Sequence, residues 1–251
     1  AVIIAPERPA YQAQARKLQQ AIFARTGVQL PLLRDTDCNP WQPATTHQIL
    51  LGNLMDNRVV APLYHRNYIA ADAHYPGPGG HVLRTVHDPW GTGCNIILVG
   101  GSDMAGVTVS VARLLATLQQ DEVELWVPAL LDIALADSFL ARFPELRNEP
   151  DAAFREAEMA KAHEMLETGA HGGITDPLGR AGFYYYVTGK VGWAELFKSL
   201  AFLMYEDFQK DREQYGGAWG MDADFRLSTM LPAWDLVEEA PVFSDEERLQ
   251  I

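Results

Sequence analysis

The chain has 251 residues, 48% hydrophobic and 21% charged, a balance that excludes collagenous, low-complexity and broadly disordered chains and permits one large domain or two small ones. Its net charge is −13, from 20 Lys and Arg against 33 Asp and Glu. A surface that acidic repels phosphate backbones and anionic headgroups, which argues against nucleic acid and membranes as partners. The acidity is unevenly placed: residues 1–150 carry 11 basic and 14 acidic side chains, whereas residues 151–251 carry 9 and 19. The shift marks two compositional units meeting near residue 150.

The first unit alternates short apolar runs with helical periodicity. Val2-Ile3-Ile4-Ala5 reads as a strand stopped by Pro6, and Ala13, Leu18, Ala21 and Ile22 place a helix from Pro9 to about Thr26, with Gly27 as its C-terminal cap. Val28 to Leu33 is a second strand, suited by Pro31 to an edge. The stretch Asp35 to Thr46 is a loop, and Gln48 to Gly52 a third strand. Asn53 is positioned to cap a helix running to about Arg66, with Pro62 interrupting its last part.

Tyr75 to Gly80, with two prolines and three glycines, is an exposed turn. His81 to His87 and Asn95 to Val99 then form a hairpin around a Gly-rich connector, and Gly100-Gly101-Ser102-Asp103 leads into a helix from about Met104 to Leu118. A short strand is placed near Val123 to Val127. Such an order fits one layered α/β domain with a mixed sheet.

From about Asp137 the strand pattern ends. Ala152 to Glu167 is a helix, and Asp176-Pro177 opens another that reaches Gly189. Trp193, Leu196, Phe197, Leu200, Ala201, Leu203, Met204 and Phe208 form the apolar stripe of the next, ended by Gly216-Gly217. A further helix spans about Ala223 to Glu239. The expected fold class is therefore α+β in two domains, an α/β domain at 1–135 and helical hairpins at 151–251, joined by a linker at 136–150.

The chain opens inside an apolar run without Met, which fits removal of a signal peptide or tag and a secreted or periplasmic protein. Ser244 and Glu247 form a capping box, yet only about two helical turns follow, so a fragment of a longer protein is expected. Cys38 and Cys94 stand far apart without metal-ligand spacing, and read as two buried thiols, with one disulfide as the alternative.

Two resemblances follow from these elements. Val2-Ile3-Ile4 with its helix, Ile49-Leu50-Leu51-Gly52, the His81 to Thr85 strand, and Ile97 to Asp103 running into a helix resemble the α/β accessory domain that precedes the catalytic domain in hexosaminidases and α-glucuronidases. In those families that domain usually contributes no catalytic residues. Tyr184-Tyr185-Tyr186-Val187-Thr188-Gly189, the Trp- and Phe-rich helix after it, and the Gly-rich turn before Asp222 resemble the start of an (α/α) toroid, as in heparinase-type polysaccharide lyases and six-hairpin glycosidases. A toroid needs several more hairpins than are visible here.

Candidate chemistry gathers in two loops. In Gly216-Gly217-Ala218-Trp219-Gly220-Met221-Asp222-Ala223-Asp224, Trp219 offers an indole face for stacking on a sugar, and Asp222 and Asp224 offer carboxylates for hydroxyl binding or acid/base work. The competing reading is a helix-to-helix turn whose aspartates cap the next helix. His171 and Asp176 occupy the matching loop before the other inner helix, which brings His171, Asp176, Trp219, Asp222 and Asp224 toward one cup. His171 reads as an acid/base, a sugar ligand or simply a solvated side chain. Tyr184 reads as core or, in a lyase, as a proton donor.

Gly100 to Asp103 lacks phosphate-loop and dinucleotide spacings, so capping by Ser102 or Asp103 is preferred to nucleotide binding. His47, His65, His74, His81, His87 and His163 show no zinc-ligand spacing, and no GxSxG elbow is present; neither metal nor cofactor is expected. The expected function is that of a carbohydrate-active enzyme, a hydrolase or a lyase. The acidity of residues 151–251 favours a neutral sugar slightly over an anionic one. The alternative is a non-catalytic carbohydrate-binding or scaffolding protein.

Overall fold

Val2, Ile3, Ile4 and Ala5 are buried on both faces of their strand, the condition of a parallel strand covered from above and below. In the computed structural model, which describes residues 1–120, 125–210 and 230–250, this strand, β1 (Val2–Ala5), lies in a mixed six-stranded sheet. The others are β2 (Leu32–Arg34), β3 (Gln48–Leu51), β4 (His81–Val86), β5 (Ile96–Gly101) and, after a two-stranded ribbon of β6 (Gln119–Gln120) and β7 (Leu125–Trp126), β8 (Leu131–Ala134). Their spatial order is β2-β1-β3-β5-β4-β8. β2, β1, β3 and β5 are mutually parallel, while β4 runs antiparallel to both β5 and β8. The chain is thus α+β and divides into two compact units, Ala1–Pro144 and Glu145–Ile251.

In the first unit, α1 (Pro9–Thr26) and α3 (Met104–Thr117) pack on one another and on the sheet. Alternation along the strands supplies Ile3, Ala5, Ile49, Leu51, Leu83 and Val99 to the core they share with Tyr11, Leu18, Val107 and Leu114. Ile4, Leu50 and Leu98, of opposite parity, are also fully buried, so both faces are covered. Gly27 ends α1 in the left-handed region at φ 68°, its N–H bonded to the Phe23 carbonyl. The β4–β5 hairpin forms as expected. Asp88 closes its loop by accepting from the Thr92 and Gly93 N–H groups at 2.7 and 2.9 Å.

Three elements differ from the sequence reading. The helix expected from Asn53 to Arg66 shrinks to a 3-10 turn at Arg58–Val60 and one turn of α2 (Ala61–Tyr64). Asn53 and Asn57 each fold their side chains back onto the following N–H groups, a local alternative to helix. The second strand is shorter and later, at Leu32–Arg34. Leu131–Ala134, not anticipated, forms the edge strand on β4. In the expected linker, α4 (Asp137–Arg142) packs with the first unit, the Phe139 and Tyr75 rings meeting edge-on at 5.6 Å. Cys38 and Cys94 are free thiols, each partly exposed.

In the second unit, Asp151 caps α5 (Ala152–Glu167), accepting from the Phe154 N–H at 2.8 Å. α6 (Thr175–Thr188) ends at Gly189, φ 68°, and α7 (Val191–Lys210) begins two residues later, a connection that sets the pair antiparallel. Trp193, Leu196, Phe197, Leu200, Ala201 and Met204 bury one side of α7. Residues 230–237 are helical, α8, and bury Ala233 and Val237. Trp234 and Phe243 pack edge-on at 5.2 Å, with Phe197 stacked near Trp234 at 6.3 Å. Ser244 and Glu247 form the expected capping box at the start of α9 (Asp245–Arg248).

Candidate functional site

Open α/β sheets bind ligands beyond the carboxyl ends of their strands, where the strand order reverses. From β1 the chain moves outward through α1 to β2, and β3 then returns to the other side of β1, so the reversal lies between β1 and β3. The crevice there encloses about 380 Å³ and is lined by Arg8, Tyr11, Asn53, Asp56, Ser102 and Asp103 among others.

Its polar groups are largely engaged with one another. Asp56, its side chain 13% exposed, accepts from Arg8 Nη1 and from the Tyr11 hydroxyl, both at 2.5 Å. Burial, then the hydrogen bond to Asp56, pushes the Tyr11 phenol above its usual range and keeps it a neutral donor. Asn53, buried, donates from Nδ2 to the Gly101 and Ser102 carbonyls and accepts at Oδ1 from the Met55 and Asp56 N–H groups. Asn57 donates to the Ile4 and Leu51 carbonyls. Two asparagine amides thus pin the ends of β1, β3 and β5 together.

Gly100-Gly101-Ser102-Asp103 completes this edge. Asp103 Oδ1 caps α3 by accepting from the Gly106 N–H at 2.9 Å, while Oδ2 accepts from the Gly79 N–H at 3.0 Å. Ser102 Oγ accepts from the Gly77 N–H at 2.9 Å. A Cβ on Gly101 would lie 2.7 Å from the Gly106 and Val107 backbone, and one on Gly106 would lie 2.0 Å from the Gly80 carbonyl oxygen. The glycines therefore let α3, β5 and the 76–80 loop touch. An anion at this helix start would meet the Asp103 carboxylate, the reverse of a phosphate loop.

In the second unit the expected site residues are placed as follows. His171 opens the 3-10 turn His171–Ile174 that leads directly into α6, and Asp176 stands exposed in the first turn of that helix. These two positions share one end of α6. Tyr184 lies eight residues beyond Asp176 on α6, about 12 Å along the axis. It is half-buried, packed edge-on against Trp193 at 4.9 Å, with Phe154 on Trp193 at 5.7 Å. Burial, then the Glu145 charge, raises the Tyr184 phenol. Trp219, Asp222 and Asp224 lie outside the described residues, as does the side chain of His171.

A second polar cluster, not anticipated, holds the start of α7. Lys190 Nζ donates to the Leu146 and Arg147 carbonyls at 2.5 and 2.7 Å, and Glu149 accepts from the Gly192 N–H at 2.7 Å. These partners are more than forty residues apart; no local pattern announces them. Asn57 and the Tyr11–Asp56 pair are hidden for the same reason, although Asn53 directly after Gly52, followed by Asp56-Asn57, carries the turn-forming composition.

The elements together define an α+β protein: a mixed six-stranded sheet with helices, then helices alone. The chain matches no protein-family model, and no curated protein sequence matches it significantly. Among the described residues, no helix is long and apolar enough to cross a membrane.

Proposed function

We propose that the chain is the N-terminal portion of a secreted or periplasmic carbohydrate-active enzyme, a glycoside hydrolase or polysaccharide lyase. The first unit is its accessory domain, and the second begins an (α/α) toroid that acts on a poly- or oligosaccharide. The observation that carries this reading is a contrast between the units. The polar residues named at the carboxyl edge of the first sheet hold its own loops together, whereas in the second unit Asp176 stands exposed at a helix start beside the His171 turn. A carboxylate so placed is available to sugar hydroxyls or to acid/base work. Asp222 and Asp224 are the proposed partners, and Trp219 the stacking platform.

The non-catalytic alternative draws on Tyr184. It is half-buried and its ring packs edge-on against Trp193, so the candidate proton donor of a lyase is committed to packing. A glycan array probed with the chain tests the common ground of both readings. Retention on at least one glycan, weakened by Trp219→Ala and by Asp176→Asn, is expected; an array with no bound glycan contradicts both.

A further inference from the structure

At the amino edge of its sheet the first unit holds a slot of about 740 Å³, a volume within the range of small-molecule sites. Ile22 from α1, Ile49 and Ile97 from the sheet, and Leu114 and Leu118 from α3 and its end give it aliphatic walls. Ile97 and Leu118 are only partly buried against the core, so apolar surface stays open there.

Several polar side chains of the lining are spent. Arg25 donates to the Leu118 carbonyl at 3.3 Å and has a further partner, so its charge is committed. The Thr26 hydroxyl serves its own helix end, donating to the Ile22 carbonyl and accepting from the Val28 N–H. Gln48 adds a neutral amide. His47, Thr85 and Asn95 have one property in common: each accepts a main-chain N–H and keeps a donor. His47 Nδ1 accepts from the Asn95 N–H at 2.9 Å, which leaves the proton of the neutral ring on Nε2. Asn95 Oδ1 accepts from the Asp88 N–H at 3.1 Å and leaves Nδ2, and Thr85 Oγ1 accepts from the Leu130 N–H at 3.1 Å and leaves the hydroxyl proton.

The strands gather these donors. Thr85 on β4 stands opposite Ile97 on β5, Asn95 precedes Ile97 by two residues and so shares its face, and the His47 ring is bonded to the Asn95 N–H. Three neutral donors thus meet at one end of an aliphatic slot, and they complement an acceptor oxygen on an aliphatic body. With the Arg25 charge committed, a carboxylate there would lose hydration without that counter-charge, a cost that an uncharged carbonyl oxygen escapes.

We propose that this slot binds a small uncharged aliphatic molecule that carries a carbonyl group, as in a ketone, ester or lactone. The chain lies between Ile49, Ile97 and Leu118, and the carbonyl oxygen accepts from His47, Thr85 and Asn95. The site is independent of the carbohydrate reading, since it lies in the unit to which no sugar chemistry is assigned.

Calorimetric titration of the whole chain with heptyl methyl ketone, and with nonanoate as the charged counterpart of equal length, tests the proposal. The ketone should bind saturably at one site, and nonanoate about tenfold more weakly. Asn95→Asp keeps the acceptor for the Asp88 N–H but removes the Nδ2 donor, and should weaken ketone binding about fivefold, the size of one hydrogen bond. Leu118→Trp fills the slot and should abolish binding of the ketone while melting cooperatively. Absence of saturable ketone binding overturns the proposal, as does undiminished binding in a folded Leu118→Trp chain. Nonanoate bound as tightly as the ketone, or an Asn95→Asp chain with unchanged ketone affinity, overturns the assignment of the head. Should Leu118→Trp fail to fold, the Asn95→Asp comparison decides.

Discussion

Asp72 collects three hydrogen bonds, from the Tyr64 hydroxyl at 2.7 Å and from the His74 and Tyr75 N–H groups at 2.6 and 2.9 Å. Burial alone would raise its carboxyl, but these bonds outweigh it and hold the group below the usual range. Its contribution to stability is therefore present above the unfolded carboxyl value and lost as pH falls through the depressed folded one. Tyr64 shows the opposite sign: the hydrogen bond to Asp72, then burial, pushes the phenol up to about 12. That stability is complete below about pH 10 and is lost as pH rises toward 12. Tyr64→Phe should cost about 0.5–1 kcal/mol at neutral pH and flatten the alkaline loss, read by urea denaturation at a series of pH values. A Tyr64→Phe curve parallel to wild type above pH 10 would contradict this account.

At the carboxyl edge, Asp56→Ala leaves the Tyr11 hydroxyl without its acceptor and should destabilise by about 1–3 kcal/mol. Tyr11→Phe should cost less, since Asp56 keeps Arg8; equal effects in chemical denaturation would show that the phenol carries the whole interaction. Capping residues such as Asp103, Asp151 and Ser244 were legible or nearly so, because a cap and its N–H groups lie within three residues. Asp56 was silent because Tyr11 is 45 residues away.

Among elements, legibility follows how much each depends on partners. α1 and α5 match their expected spans, since periodicity and end signals are local. β8 escaped because Leu131-Asp132-Ile133-Ala134 is too short to show a pattern and becomes a strand only by pairing with β4. The Asn53 to Arg66 helix failed because asparagine side chains compete for the N–H groups a helix would use. Glycines separate the same way. Gly27→Ala meets open space but keeps a left-handed φ and should cost about 1 kcal/mol. Gly106→Ala drives a methyl into the Gly80 carbonyl and should cost about 3 kcal/mol or more. Urea midpoints compare the two directly, and equal shifts would deny the close approach of α3 to the 76–80 loop. In the second unit, Lys190→Met removes two carbonyl contacts, and a lowered melting temperature is expected.

At the scale of the molecule, the chain divides into two compact units, Ala1–Pro144 and Glu145–Ile251. The mixed sheet was legible as a succession of strands and helices; its strand order was not, because spatial neighbours are set by which apolar faces meet. Of the expected sugar site, Asp176 and the His171 turn fall at one end of α6, with Tyr184 farther along it. The proposed function joins these to Trp219, Asp222 and Asp224. The most direct test is incubation of the chain with a panel of neutral and uronate-containing polysaccharides, following new reducing ends and the ultraviolet absorbance of unsaturated uronates. The account predicts binding or turnover of at least one polysaccharide, reduced at least tenfold by the double substitution Asp222→Asn with Asp224→Asn. Neither binding nor cleavage of any polysaccharide, or a doubly substituted chain indistinguishable from wild type, would contradict it.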